Sequence, residues 1–114
     1  MKKLALAVLA ALLSAHTCFA DDHSTYFVDG NKLYERCMEN GIWCIAYIEG
    51  VLGAMDARRI LHGSSSCVRP NVAAGQVRDV VARFLAAHPE NRDAPAALLA
   101  MTAIRETFCP GDST

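Results

Sequence analysis

The chain has 114 residues, with 11 Lys and Arg against 12 Asp and Glu, a 20% share of charged side chains and a 53% share of hydrophobic ones. That length allows one small domain. Beyond Lys2 and Lys3 the cations stand singly or as the pair Arg58 and Arg59, so the basic patch that a nucleic-acid backbone requires is missing.

Lys2 and Lys3 precede an apolar run from Leu4 to Leu13 that closes on Cys18, Phe19 and Ala20, the layout of a cleavable export signal. The run is too short to stay behind as a membrane anchor, and the small residues Cys18 and Ala20 put cleavage after Ala20. A lipid-anchored alternative would keep Cys18 as the modified residue, but Ala15, His16 and Thr17 are a poor approach to it. Removing 1–20 takes Lys2 and Lys3 away, so 11 Lys and Arg become 9 against 12 carboxylates, a net charge of −3. The expected product is an exported chain with a flexible arm at 21–28 and one domain at 29–114, with no membrane insertion.

A domain of this size buries a modest core and gains from covalent staples. Four cysteines remain after cleavage, Cys37, Cys44, Cys67 and Cys109, and an even number in an exported chain reads as two disulfides. Zinc is the competing use of these thiols, but there is no C-x-x-C pair and only His62 is close to any of them. No metal or other cofactor is expected.

In chain order, Asp21–Val28 is polar and aperiodic. A short helix follows, capped by Asp29 or Asn31, with Leu33, Tyr34, Cys37 and Met38 on one face and a stop at Asn40 and Gly41. The long helix from near Ile42 to Leu61 carries two stripes. Tyr47, Ile48, Val51 and Met55 form an apolar one, and Ala46, Gly50, Gly53, Ala54 and Ala57 form one with almost no side chain. The small stripe marks a place where another backbone comes close. Tight packing inside the domain is the commoner reason, and a helix shared with a second subunit is the sharper one.

Gly63–Ser66 is a turn leading to Cys67 and Pro70. A third helix from about Val72 to Ala87 buries Val77, Val80, Val81, Phe84 and Leu85, and Asp79 and Arg83 form an i,i+4 pair on its outer face. His88 and Pro89 end it. The fourth helix begins within Asn91–Pro95 with Asp93 as cap, buries Ala97, Met101, Ile104 and Phe108, and stops at Cys109, Pro110 and Gly111. The expected fold is all-α, a small four-helix domain. Alternating helix directions put Cys37 beside Cys44 and Cys67 beside Cys109. The second bridge closes the longer loop and stabilises by about 3–4 kcal/mol in chain-entropy terms.

Catalytic patterns are absent: no H-E-x-x-H, no G-x-S-x-G and no glycine-rich phosphate loop. His23 lies in the arm and His62 in a loop, Ser64–Ser66 read as turn residues, and Glu49 reads as a residue on the solvent edge of the long helix. The chain is not expected to be an enzyme.

Several segments stand together in order: DGNKLYERC at 29–37, CIAYIEGV at 44–51, Cys67 with Pro70, GQVRDVVARFLAAHPENRDAPAALL at 75–99, and Phe108 with Cys109. The set resembles the Rap/Tai family of periplasmic immunity proteins of bacterial type VI secretion systems. The family's L-x-x-x-C corresponds to Leu33–Cys37, its C-x-G/A-Y-x-x-G-V to Cys44–Val51, and its H-P-E-x-R to His88–Arg92. The resemblance implies a small, helical, disulfide-bonded periplasmic protein, often a homodimer, that binds and blocks a peptidoglycan amidase injected by rival or sibling cells. It also implies that the loop between the third and fourth helices, His88, Glu90, Asn91, Arg92 and Asp93, helps to plug the toxin's cleft. This chain departs from the pattern at Ala73, where the family often has threonine, and at Asp93, where it often has histidine. A periplasmic stress chaperone or envelope accessory protein of similar build is the alternative from another class; it would expose apolar surface on acidification.

Overall fold

Two side-chain caps set the first half of the fold. Asp29 accepts the Lys32 backbone N–H at 2.8 Å and starts α1, Gly30–Glu39. Asn40 accepts the Trp43 N–H at 3.1 Å and starts α2, Gly41–Leu61. Asn40 is thus both the end of one helix and the cap of the next, so the chain turns its corner on a single residue. The Cys37–Cys44 disulfide braces that corner, with Cα atoms 4.7 Å apart. This computed structural model describes residues 28–111; the export signal, the Cys18 alternative and all of the arm except Val28 lie outside the described residues.

At the end of α2 the His62 N–H donates to the Arg58 and Arg59 carbonyls and the Gly63 N–H to the Ile60 carbonyl, with Gly63 at φ +77°, a conformation that suits glycine. The connection that follows is pinned by the buried Val68 and by the Cys67–Cys109 disulfide, with Cα atoms 5.3 Å apart. Both cysteine pairs are those expected from the helix order. Helix α3 spans Ala74–Ala87 and α4 spans Ala96–Phe108, and among the described residues there is no strand, only an isolated antiparallel bridge between Asp29 and Pro95.

The core draws on every helix: Leu33 from α1, Cys44 and Ile48 from α2, Val77, Val81 and Leu85 from α3, and Leu99 and Ile104 from α4. Helix α4 also buries Ala96, Ala100 and Ala103. Three alanines on one face let α4 approach its neighbours closely, so the packed face centres on small residues rather than on the larger Met101 and Phe108, which are half-buried.

Several expectations are corrected. Helix α3 starts two residues later than Val72, because Ala73 is its N-cap and offers no side-chain acceptor; instead the Gln76 Oε1 takes the Ala73 N–H at 2.7 Å. Asp93 does not cap α4: the helix begins after Pro95, and its first N–H, on Ala96, donates to the Val28 carbonyl at 2.7 Å. Asp79 accepts from its neighbour Arg78 at 2.8 Å rather than pairing with Arg83. Met38 is 68% exposed rather than packed.

The largest correction concerns α2. Ala46, Gly50, Gly53, Ala54 and Ala57 all face solvent, and a Cβ added at Gly50 or Gly53 would meet nothing within 4 Å. Packing inside the domain therefore does not account for the stripe, since the other helices meet α2 on its opposite side, around Cys44 and Ile48. Each internal glycine in a solvent-facing helix costs about 1 kcal/mol relative to alanine.

Candidate functional site

The segment between α3 and α4 is short, and two separate sets of contacts hold it. His88 leaves helical geometry at φ −124°, ψ 58°, and Pro89 opens a single 3-10 turn, Pro89–Asn91. The Asn91 N–H closes back on the His88 carbonyl at 3.1 Å and the Ala94 N–H on the Asn91 carbonyl at 3.0 Å. The His88 ring stacks on Phe84 with centroids 4.3 Å apart, and its Nδ1–H donates to the Phe84 carbonyl at 2.8 Å, which fixes the tautomer.

Arg92 supplies the first brace. Its Nε donates to the Leu85 carbonyl at 2.6 Å and its Nη2 to the Ala86 carbonyl at 3.5 Å, while the guanidinium carbon lies 3.8 Å from the centre of the Tyr34 ring. A cation here satisfies carbonyls that the last turn of α3 leaves open and opposes the negative end of the helix dipole. The face of Tyr34 holds the planar group by cation–π attraction.

The second brace is the start of α1. Its first N–H groups point at the loop: Gly30 donates to the Ala94 carbonyl at 3.0 Å and Asn31 to the Arg92 carbonyl at 2.9 Å. Only a residue without a side chain fits there, because a Cβ on Gly30 would stand 2.9 Å from both Cα and O of Arg92 and would overlap Leu99 Cδ1. The loop is therefore fixed in shape before any partner arrives.

The five loop residues drawn from the sequence separate into two roles. Arg92 and His88 are half-buried and turned to the body of the protein, whereas Glu90, Asn91 and Asp93 are exposed at the tip. The tip carries two carboxylates and one amide, the latter 3.5 Å from the Glu90 Oε1. Its chemistry is that of an acceptor-rich, anionic projection suited to a surface that offers cations or N–H donors. Tyr34 and Gly30 support the loop from far away in sequence; helical spacing placed Tyr34 on the packed face of α1, and no local signal singled out Gly30.

His62, Ser64, Ser65, Ser66 and Glu49 are exposed, and among the described residues no three His, Cys, Asp or Glu side chains come together as a metal site. Burial raises the phenol of Tyr47 above the ordinary value of 10.0. It stacks on Trp43 at 5.4 Å, and Arg36 lies 5.8 Å from the Trp43 ring centre. No described helix is long and apolar enough to cross a membrane.

No curated protein and no solved structure matches the chain. A family model described as Rap1a immunity proteins matches residues 29–109, from the cap of α1 to the last cysteine. With both disulfides and all four helices inside that span, the chain belongs to the Rap1a immunity protein family, which makes it an immunity protein directed at a secreted effector.

Proposed function

We propose that this protein is exported to the periplasm, where, as a homodimer, it binds and blocks a peptidoglycan-cleaving amidase delivered by type VI secretion. It acts by occlusion alone and carries out no chemistry. The observation that carries this reading is the doubly braced loop: Arg92 and the N-terminus of α1 hold it from opposite sides, leaving Glu90, Asn91 and Asp93 free at the tip. A projection ordered in advance loses little conformational entropy when it enters a cleft, which is what tight inhibition needs. The exposed, uncharged stripe of α2 supports the dimer.

The test follows muropeptide release from peptidoglycan by the product of the neighbouring open reading frame, with and without the mature, oxidised protein. Stoichiometric inhibition is expected. Replacing Glu90 and Asp93 together by lysine should weaken inhibition by roughly a hundredfold or more, as repulsion replaces attraction at the tip, with melting temperature unchanged because neither carboxylate supports the fold. Inhibition that survives both substitutions would take the loop out of the interface.

A further inference from the structure

Helix α4 turns Ala96, Leu99, Ala100, Ala103 and Ile104 to the core. At about 3.6 residues per turn Leu98 falls on the opposite side, and it is 54% exposed. A helix on the surface of a fold is ordinarily charged or polar on that side. Here no charged residue lies between Asp93 and Arg105. Pro95, one turn before Leu98, is exposed, and Met101 and Thr102, one turn after it, are half-buried. Thr102 directs its hydroxyl back to the Leu98 carbonyl at 2.9 Å. The accessible strip that starts at the end of the loop is therefore apolar.

Place separates Leu98 from the other large apolar side chains that meet solvent. Met38, Ile42, Ile60 and Leu61 belong to α1 and α2, whereas Leu98 stands in the first turn of α4, just past Asp93. Helical side chains lean towards the N-terminus of their helix, which for α4 is the end where the loop arrives. The fold itself does not need this leucine, since it belongs neither to the apolar core nor to the half-buried residues packed around it. A scattered surface leucine requires no explanation. One set in an uncharged strip, beside a loop already fixed in shape and next to the carboxylates of Glu90 and Asp93, has the layout of a binding hot spot, an apolar centre with a polar rim.

Resting on the occlusion reading above, we propose that Leu98 is the apolar anchor of the effector interface and seats in a hydrophobic recess on the lip of the cleft that the loop tip enters. The partner surface then has an apolar recess flanked by cations or N–H donors. The two parts act at different stages: the tip carboxylates speed the encounter, and the leucine slows dissociation. Met101, unbranched and adaptable, lets the strip follow the contour of the recess.

The experiment measures association and dissociation rates of the mature, oxidised protein with the product of the neighbouring open reading frame. Leu98→Ala should weaken binding by roughly thirtyfold, nearly all of it as faster dissociation. Leu98→Met keeps volume and apolarity and should stay within about threefold of the wild type. Melting temperatures should not fall, because the side chain lies outside the core. Raised salt should erode the loss caused by Glu90→Lys with Asp93→Lys and leave that of Leu98→Ala in place, since ions screen charges and not apolar contacts. Binding that responds to the tip lysines but not to Leu98→Ala would overturn the anchor and leave the occlusion reading standing. A melting temperature lowered by Leu98→Ala would make the residue part of the fold and overturn the anchor as well. A wild-type chain that does not bind would remove both readings together.

Discussion

Gly30→Ala should destabilise the fold by about 2 kcal/mol, although alanine is the better helix former. The added methyl would lie 2.9 Å from both Cα and O of Arg92 and would overlap Leu99 Cδ1. Leu99 is 7% exposed and has little room to turn aside, and the Arg92 backbone can retreat only by lengthening the bonds that Gly30 and Asn31 donate to the loop at 3.0 and 2.9 Å. Overpacking of this kind costs about 1–3 kcal/mol, and each weakened hydrogen bond adds up to about 1 kcal/mol. The gain in helix propensity offsets at most about 1 kcal/mol, and less than that at the first position of a helix. A net loss near 2 kcal/mol lowers the melting temperature of a domain this size by roughly 8–16 °C. Urea unfolding without reductant, followed through the fluorescence of the single tryptophan, Trp43, measures it directly. A change within about 0.5 kcal/mol would mean that the close approach of α1 to the loop has been misread.

Three other outcomes are expected. Arg92→Met keeps the bulk of the side chain but removes the donors to Leu85 and Ala86, so urea unfolding should show a loss of about 2 kcal/mol; Arg92→Lys should recover only part, since lysine lacks the planar fork. Ala73→Thr should stabilise α3 by about 1 kcal/mol, because Ala73 already has the extended backbone of an N-cap (φ −74°, ψ 148°) and lacks only the acceptor; a higher melting temperature is the readout. Burial raises the Tyr47 phenol above 10.0 in the folded state, so the folded chain favours its neutral form. The stability from that preference is intact below the unfolded-state value and declines as pH climbs past it towards the folded value. Tyr47→Phe should flatten that alkaline decline in a series of unfolding curves taken above neutrality.

What could be read before folding, and what could not, follows from the range of the forces involved. Asp29 was legible as a candidate cap, alongside Asn31, because a cap and its N–H are three residues apart; Asn40 read only as a helix stop, although it also caps α2. The cysteine pairs followed from helix order, since short connections constrain which ends meet. Asp93 looked like a cap by the same local rule, yet the N-terminus of α4 is satisfied by the Val28 carbonyl, 68 positions earlier in the chain. Periodicity located the faces of α1, α3 and α4 but ranked residues by size, which favoured Met38 and Met101 over Ala100 and Ala103, where closeness of approach decides. Arg92 reads in sequence as one more polar residue at a loop tip. Its inward direction depends on Tyr34 in another helix, and no spacing rule connects the two. The small stripe on α2 was visible as a pattern, but whether it faced the domain or the solvent depended on which side the other three helices took.

The Val28–Ala96 hydrogen bond and the Asp29–Pro95 bridge have a practical corollary for anyone handling the protein. They fix the point where the described chain begins, at Val28, and that point is beside the loop that ends at Asp93. On the proposed function, in which that loop enters the effector, purification tags, fluorophores or tethers attached ahead of Val28 would share space with it. The opposite terminus departs after Cys109, a 13-residue helix away, or about 20 Å. A label placed there leaves the loop clear, so a binding defect seen only with N-terminal fusions would reflect where the label was attached.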